Sequence, residues 1–244
     1  MAPLIPHLSV DCVLFGFDKK TLKILLTKRE LKDPKSGKVE FVDYTLLGHH
    51  VKENEDLDKA AKRVLKEKTG LEGIYLEQFH TFGKLGRMNS DKDKLWTSKT
   101  NFKIADHVIS VGYLSLVDSE KIKPDQQHPN AHWFPVTDLP DLGFDHRYII
   151  ETALEKLRLK LSMEPIGFEL LTEKFTLTEM QQLYEAVFGR KFDRRNFRKK
   201  VGQMKYVIPL DEKQKGVAHK PAQVFIFSRD VYERTKKEKY DFSI

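Results

Sequence analysis

Between Asp56 and Gly70 the chain reads DLDKAAKRVLKEKTG, with apolar or small residues at Leu57, Ala60, Ala61, Val64 and Leu65 and charges at most other places. That spacing draws one apolar stripe along an otherwise charged helix. Gly70 stands where a helix needs a left-handed residue to stop. A helix of this length is marginal alone in water, so it has to lie on an apolar surface. The flanking segments supply that surface. LSVDCVLFGF and LKILLTKRE read as strands joined by the turn DKKT. FVDYTLLG, GIYLEQFHTFG and HVISVGYLSLVD read as three more strands, with loops at 33–38 and about 84–105. AHWFPVTDLP and the helix HRYIIETALEKLRLKL follow. Strands with a few interspersed helices predict a mixed α+β body.

The chain is longer than that body needs. At 244 residues it has room for two domains. Its net charge is +7, yet residues 174–244 hold 17 Lys/Arg against 9 Asp/Glu while residues 1–173 hold 26 against 27. A near-neutral body joined to a cationic module predicts a polyanionic partner for the module. Cys12 is the single cysteine, which excludes an intrachain disulfide and an all-cysteine zinc cage. No stretch reaches the roughly 18 apolar residues of a membrane helix, and the start lacks the pattern of a secretory leader. The expectation is a cytoplasmic protein without a membrane partner.

SMEPIGFELL reads as the connection to the second domain. Thr176 and Glu179 fit a capping box, and Leu177, Met180, Leu183, Tyr184, Val187 and Phe188 then form one helical stripe that ends at Gly189. Asp193 is placed to cap a second, basic helix running to Lys205. YVIPL and AQVFIF read as a hairpin with a polar tip. Helix, turn, basic helix and hairpin is the order of a winged helix-turn-helix. At 100° per residue Phe197, Val201 and Met204 point inward. Arg195, Arg198, Lys199 and Gly202 point outward, with Asn196 on a flank. Arginine and asparagine near such a helix's start can read guanine and adenine edges. Arg194, Arg195, Asn196, Arg198, Lys199 and Lys200 are therefore candidates for the major groove of double-stranded DNA. Lys213, Lys215, His219 and Lys220 are candidates for phosphate or minor-groove contact from the hairpin tip.

The segment from Leu46 to Leu71 resembles a Nudix box, G-x5-E-x7-R-E-U-x-E-E-x-G-U with U apolar. Setting its last glycine on Gly70 puts its arginine on Arg63 and two of its glutamates on Glu55 and Glu67. His49 stands where the box opens with glycine, and Val64 and Lys68 replace two of the three helix glutamates. Positions 64, 67 and 68 are neighbours on one helix face. Three carboxylates there would hold Mg²⁺ through hard oxygen ligands against a diphosphate. One carboxylate beside an ammonium is a poor divalent site. The resemblance thus implies the fold without the hydrolase: no catalytic residue, no metal and no cofactor are expected. A metal site rebuilt from His49, His50, Glu55 and Glu67 is the less favoured alternative.

Taken together, a degenerate Nudix domain and a C-terminal winged helix are similar to the Nudix-related transcriptional regulators of bacteria. The stretch EPIGFELLTEKFTLTEMQQLYEAVFGRKFDRRNFRKKV, with GVAHKPAQVFIF, most resembles their sugar-responsive branch, typified by arabinose-responsive repressors. The expected architecture is α+β, a Nudix-type α/β/α sandwich over 1–162 followed by a winged helix-turn-helix over 163–244. The resemblance implies a homodimeric repressor on a pseudo-palindromic operator. The Nudix domain would sense a small molecule, a sugar such as L-arabinose. Sensing of ADP-ribose or another NAD-linked metabolite, and retained hydrolase activity, are the alternatives. Candidate effector contacts are Asp11, Arg29, His50, Arg63, Glu67, His80 and Tyr113; pairing to a neighbouring cation is the favoured reading for the Asp11 carboxylate, and Arg29 and Arg63 are open to phosphate, with a tie to Glu55 or Glu67 the equal alternative for Arg63.

Overall fold

A computed structural model describes residues 2–33, 35–99, 107–122, 130–216 and 220–235. The first body is built on a seven-stranded sheet. Its strands are β1 (Leu4–Phe17), β2 (Leu22–Lys32), β3 (Val39–Thr45), β4 (Leu47–Lys52), β5 (Tyr75–Phe82), β6 (Ile109–Asp118) and β7 (Ala131–Pro135). β1 and β6 run parallel at the centre, and the other pairings are antiparallel.

The alternation of β1 divides the core in two. Val10, Cys12 and Leu14 face the helix α1 (Leu57–Thr69) and pack with Ala60, Ala61, Val64 and Leu65. Val13, Phe15 and Phe17 face the helix α3 (His146–Met163) and pack with Ile149, Ile150, Ala153 and Leu157. One helix on each side of a sheet gives the three-layer sandwich that the two-residue repeat of β1 requires. The end of α1 is as expected: Gly70 adopts φ 72°, and its N–H donates to the Lys66 carbonyl.

Two segments differ from the sequence reading. FVDYTLLG is not one strand. β3 ends at Thr45 and β4 starts at Leu47, because Leu46 turns its N–H out of the ladder to donate to His146 Nδ1 at 2.9 Å. The expected loop at 84–105 contains a helix, α2 (Asp91–Lys99). That helix has no apolar stripe to advertise it. It is held instead by buried Asp93, which accepts from Arg29 Nη2 at 2.9 Å and from the Phe144 N–H at 3.2 Å.

The sheet forks along β1. Phe15–Phe17 pair with β2, while Ser9–Cys12 pair with β4 on the same edge. Beyond the fork β2 pairs with β3 and β7.

After a short 3-10 turn at Ile166–Leu170 come β8 (Lys174–Phe175), α4 (Leu177–Phe188), α5 (Arg194–Val201), β9 (Val207–Lys213), β10 (Gln223–Phe227) and α6 (Arg229–Thr235). The small sheet has the order β8-β10-β9. Thr176 and Glu179 form the expected capping box, and Gly189 closes α4 at φ 67°. Asp193 caps α5 by accepting the Asn196 N–H at 2.8 Å. The basic helix stops at Val201, four residues short of the expected Lys205. The core of this second body is continuous with the α3 side of the first, since Leu161, Leu170, Leu183 and Tyr184 belong to one buried cluster with Val13 and Phe15. Arg158 of α3 also donates to the Val187 carbonyl at 2.8 Å, capping the end of α4. Among the described residues no helix is long and apolar enough to cross a membrane.

Candidate effector cavity and nucleic-acid interface

A cavity of about 350 Å³ opens where the sheet forks, within the size range of small-molecule sites. Ser9 and Asp11 come from β1, Thr27 and Arg29 from β2, and Gly48, His49 and His50 from β4. Lys68 reaches it from the last turn of α1, Trp96 from α2, and Phe144 and His146 from the start of α3.

Asp11 sits 7% exposed at the base. Its Oδ2 accepts the Ser110 hydroxyl, and its Oδ1 lies 3.7 Å from His146 Nε2. A Cβ at position 48 would collide with Asp11 Oδ1, so with glycine there the Asp11 carboxylate keeps its place against β4. Burial pushes His146 below the ordinary imidazole range. Its Nδ1 accepts the Leu46 N–H, so the neutral ring carries its proton on Nε2, facing the Asp11 carboxylate. Asp11 is thus served by a hydroxyl and a neutral imidazole, which corrects the expected cation partner.

Arg29 is nearly enclosed. Its Nε and Nη2 donate to the two oxygens of Asp43 at 2.7 and 2.5 Å, and Nη2 also reaches Asp93. The rings of Phe41, Trp96 and Phe144 lie 5.4, 5.2 and 4.6 Å from the guanidinium carbon. Its Nη1 takes no hydrogen bond within the described protein, and neither does the Thr27 hydroxyl. Arg87 is bound bidentately to Asp145. Lys68 has no ion-pair partner among the described residues.

Of the seven expected effector contacts, Asp11, Arg29 and His50 line this cavity. The other four do not. Arg63 is held by Glu55 at 2.9 and 2.6 Å and by the His50 carbonyl at 3.0 Å, which tie the loop to the helix, and by Glu67 of its own helix at 3.3 Å. Glu67 is half exposed beside it. Tyr113 lies on the α1 side and donates to Asp58 at 2.7 Å, and burial followed by that carboxylate raises its pKa. His80 is exposed on β5 against Phe82. Lining residues outside the sequence expectation include Thr27, Lys68, Trp96, Phe144 and His146. The box pattern marks Lys68 only as a lost carboxylate, and Trp96 lies inside the expected loop.

The box residues do not fit a magnesium site. Val64 is wholly buried between α1 and the sheet, Lys68 brings a positive charge, and Glu55 and Glu67 are both paired with Arg63. Among the described residues no three histidine, cysteine or acidic side chains cluster as a metal site, so the alternative built on His49 and His50 is not assembled either.

In the second body Phe197 and Val201 are buried, while Arg194, Arg195, Asn196, Arg198 and Lys199 are exposed on α5 and Lys200 is half-buried. Arg194, Arg195, Arg198 and Lys199 form no ion pair among the described residues. Lys213, Lys215 and Lys220 are exposed on the hairpin, and His219 lies outside the described residues. An eight-residue helix with one apolar edge and a solvent-facing cationic surface has the shape and charge to enter a major groove.

Comparison with known proteins fits both halves. The NUDIX domain pattern matches residues 5–153, and that of the NrtR DNA-binding winged helix domain matches residues 167–227. The chain is 28% identical over 233 residues to the ADPR responsive transcriptional repressor NtrR of Acinetobacter baylyi, covering 93% of this chain and 84% of that protein. Its structure is similar to Shewanella oneidensis NrtR complexed with a 27mer DNA, with TM-score 0.72 and 27% identity over 93% of this chain and 96% of that one. A MutT/nudix family protein from Enterococcus faecalis shares the fold, with TM-score 0.64 and 22% identity over 92% and 88%. The expected kinship with arabinose-responsive repressors is corrected by these relatives. The stretch that suggested it begins at Glu164 and lies largely in the winged helix. It contributes nothing to the cavity lining and so carries no information about an effector.

Proposed function

This chain belongs to the Nudix family, and on that premise we propose that it is a DNA-binding transcriptional repressor whose Nudix domain binds ADP-ribose as an effector without hydrolysing it. The observation that carries this reading is the position of Lys68. In a Nudix hydrolase the box supplies a carboxylate there to hold the metal that neutralises a diphosphate. Here the same position presents an ammonium to the cavity. The positive charge opposite a diphosphate then comes from the protein itself, which supports binding and supplies nothing to activate water. Asp11, with Ser110 and His146 behind it, offers carboxylate oxygens to ribose hydroxyls.

On the other half, α5 would enter the major groove through Arg194, Arg195, Asn196, Arg198, Lys199 and Lys200. The hairpin residues Lys213, Lys215 and Lys220 would meet phosphates. We propose a homodimer for the full assembly, since paired half-sites suit two copies of one recognition helix. The ADPR-responsive Acinetobacter relative and the DNA complex of the Shewanella protein support the two halves of the proposal.

The test is a mobility-shift titration on the DNA upstream of the protein's own gene. ADP-ribose is expected to release the complex, and L-arabinose to leave it intact. Failure to bind that DNA, release by arabinose alone, or Mg²⁺-dependent cleavage of ADP-ribose at ordinary enzyme rates would overturn the reading.

A further inference from the structure

Two polar atoms on one strand remain without a partner inside the protein. Thr27 Oγ1 and Arg29 Nη1 are both buried, both belong to residues lining the effector cavity, and neither makes a hydrogen bond within the described protein. Residues two apart on β2 project from the same side of the strand, and both of these residues line the cavity. Buried polar groups left unmade are uncommon and point to a ligand that completes them.

The chemistry of that ligand follows from local charge. Arg29 already faces two carboxylates, Asp43 at 0% and Asp93 at 1% exposure, so the cluster of three is negative by one. A phosphate group placed against it would add like charge in a poorly solvated place. An uncharged acceptor is not penalised in this way. Of the three rings around the guanidinium, Trp96 and Phe144 also line the cavity and give it an apolar, aromatic border suited to a flat heterocycle. An adenine edge sets a ring-nitrogen acceptor beside an amino donor. The guanidinium N–H donates to the first, and the threonine hydroxyl accepts from the second.

We propose that the β2 end of the cavity is a purine-base subsite, in which Arg29 Nη1 and Thr27 Oγ1 read the base edge and Trp96 and Phe144 border its face, leaving Lys68 for the diphosphate. The inference rests on the reading of the cavity as an ADP-ribose site and adds which end takes the base. It also reassigns Arg29, which the sequence had offered as a phosphate contact.

The test is calorimetry on the full chain with ADP-ribose, AMP and inorganic pyrophosphate as probes. Thr27→Val removes the hydroxyl at near-constant volume, and Thr27→Ser retains it. Thr27→Val is expected to weaken ADP-ribose and AMP about tenfold and to leave pyrophosphate unchanged, with Thr27→Ser within about twofold of the parent for all three. Equal weakening of pyrophosphate and AMP by Thr27→Val, or unchanged ADP-ribose affinity, overturns the assignment and leaves the effector reading standing. Parent protein that binds AMP but not ADP-ribose would overturn the effector reading, and Thr27→Val against AMP then decides the subsite. Parent protein that binds neither nucleotide overturns both. Should Thr27→Val unfold, Thr27→Ala measured against Thr27→Ser gives the same comparison.

Discussion

Arg63 grips Glu55 with two parallel hydrogen bonds, Nε to Oε2 at 2.9 Å and Nη2 to Oε1 at 2.6 Å, with side chains only 15% and 10% exposed. Glu55 also accepts the Lys52 N–H at 2.8 Å, and Arg63 donates to the His50 carbonyl. The pair is therefore a clasp between the β4 loop and α1. It shapes the cavity wall without entering it.

The clasp carries a pH dependence. The Arg63 hydrogen bonds hold Glu55 below the usual glutamate value of 4.5. A carboxylate with a depressed folded-state pKa adds stability that is fully present above its unfolded pKa and is lost as pH falls through the folded one. Urea midpoints measured from pH 7 to 3 should fall below about pH 4.5. Glu55→Gln should be less stable at pH 7 and show a shallower acid slope. An identical acid slope in the variant would remove Glu55 from the account.

Arg29 is predicted to be a fold-holding residue as well as a ligand contact. Arg29→Ala would leave Asp43 and Asp93 buried without a cation. Breaking such a group from one side costs about 3–5 kcal/mol. Chemical denaturation should show that loss, whereas Arg63→Ala, at a partly solvated pair, should cost less, about 2 kcal/mol. A cost for Arg29→Ala under about 1 kcal/mol would mean the carboxylates find water or protons instead.

Ligand binding should need no divalent ion. ADP-ribose affinity measured with EDTA is expected to match that measured with Mg²⁺, since on the proposed reading Lys68, which lines the cavity, would supply the charge that a metal would otherwise bring. Lys68→Glu should weaken ADP-ribose by at least about tenfold, the size of one charge-assisted contact. It should also make the residual affinity rise when Mg²⁺ is added. Metal-dependent binding by the parent chain would contradict this.

Arg195→Ala is expected to cost about 1–3 kcal/mol on the cognate DNA and much less on scrambled duplex. Lys213→Ala should weaken both alike and lower the slope of log affinity against log salt by about one. Fluorescence anisotropy at several salt concentrations separates the two behaviours. Equal losses on both duplexes for Arg195→Ala would make Arg195 a phosphate contact.

Much of the architecture was legible in the order of residues. The apolar stripe of α1, its glycine stop, the Thr176–Glu179 capping box and the Asp193 cap are local patterns that fix local geometry, and each stands where its pattern placed it. The α2 helix was not legible, because it lacks an apolar stripe and its buried Asp93 is held by Arg29 and the Phe144 N–H, 64 and 51 residues away.

The chain's sequence alone determined that residues 64 and 68 bring no carboxylate to the box and that the net cationic charge lies in the last third. Both are matters of composition along a helix and need no partner to be true. Tertiary structure alone decided which of the scattered candidates share a cavity. It turned Arg63, Glu67, Tyr113 and His80 away and brought Thr27, Lys68, Trp96 and His146 together. The reason is that a forked sheet joins the two halves of β1 to different neighbours, and such long-range pairings leave no mark in local spacing.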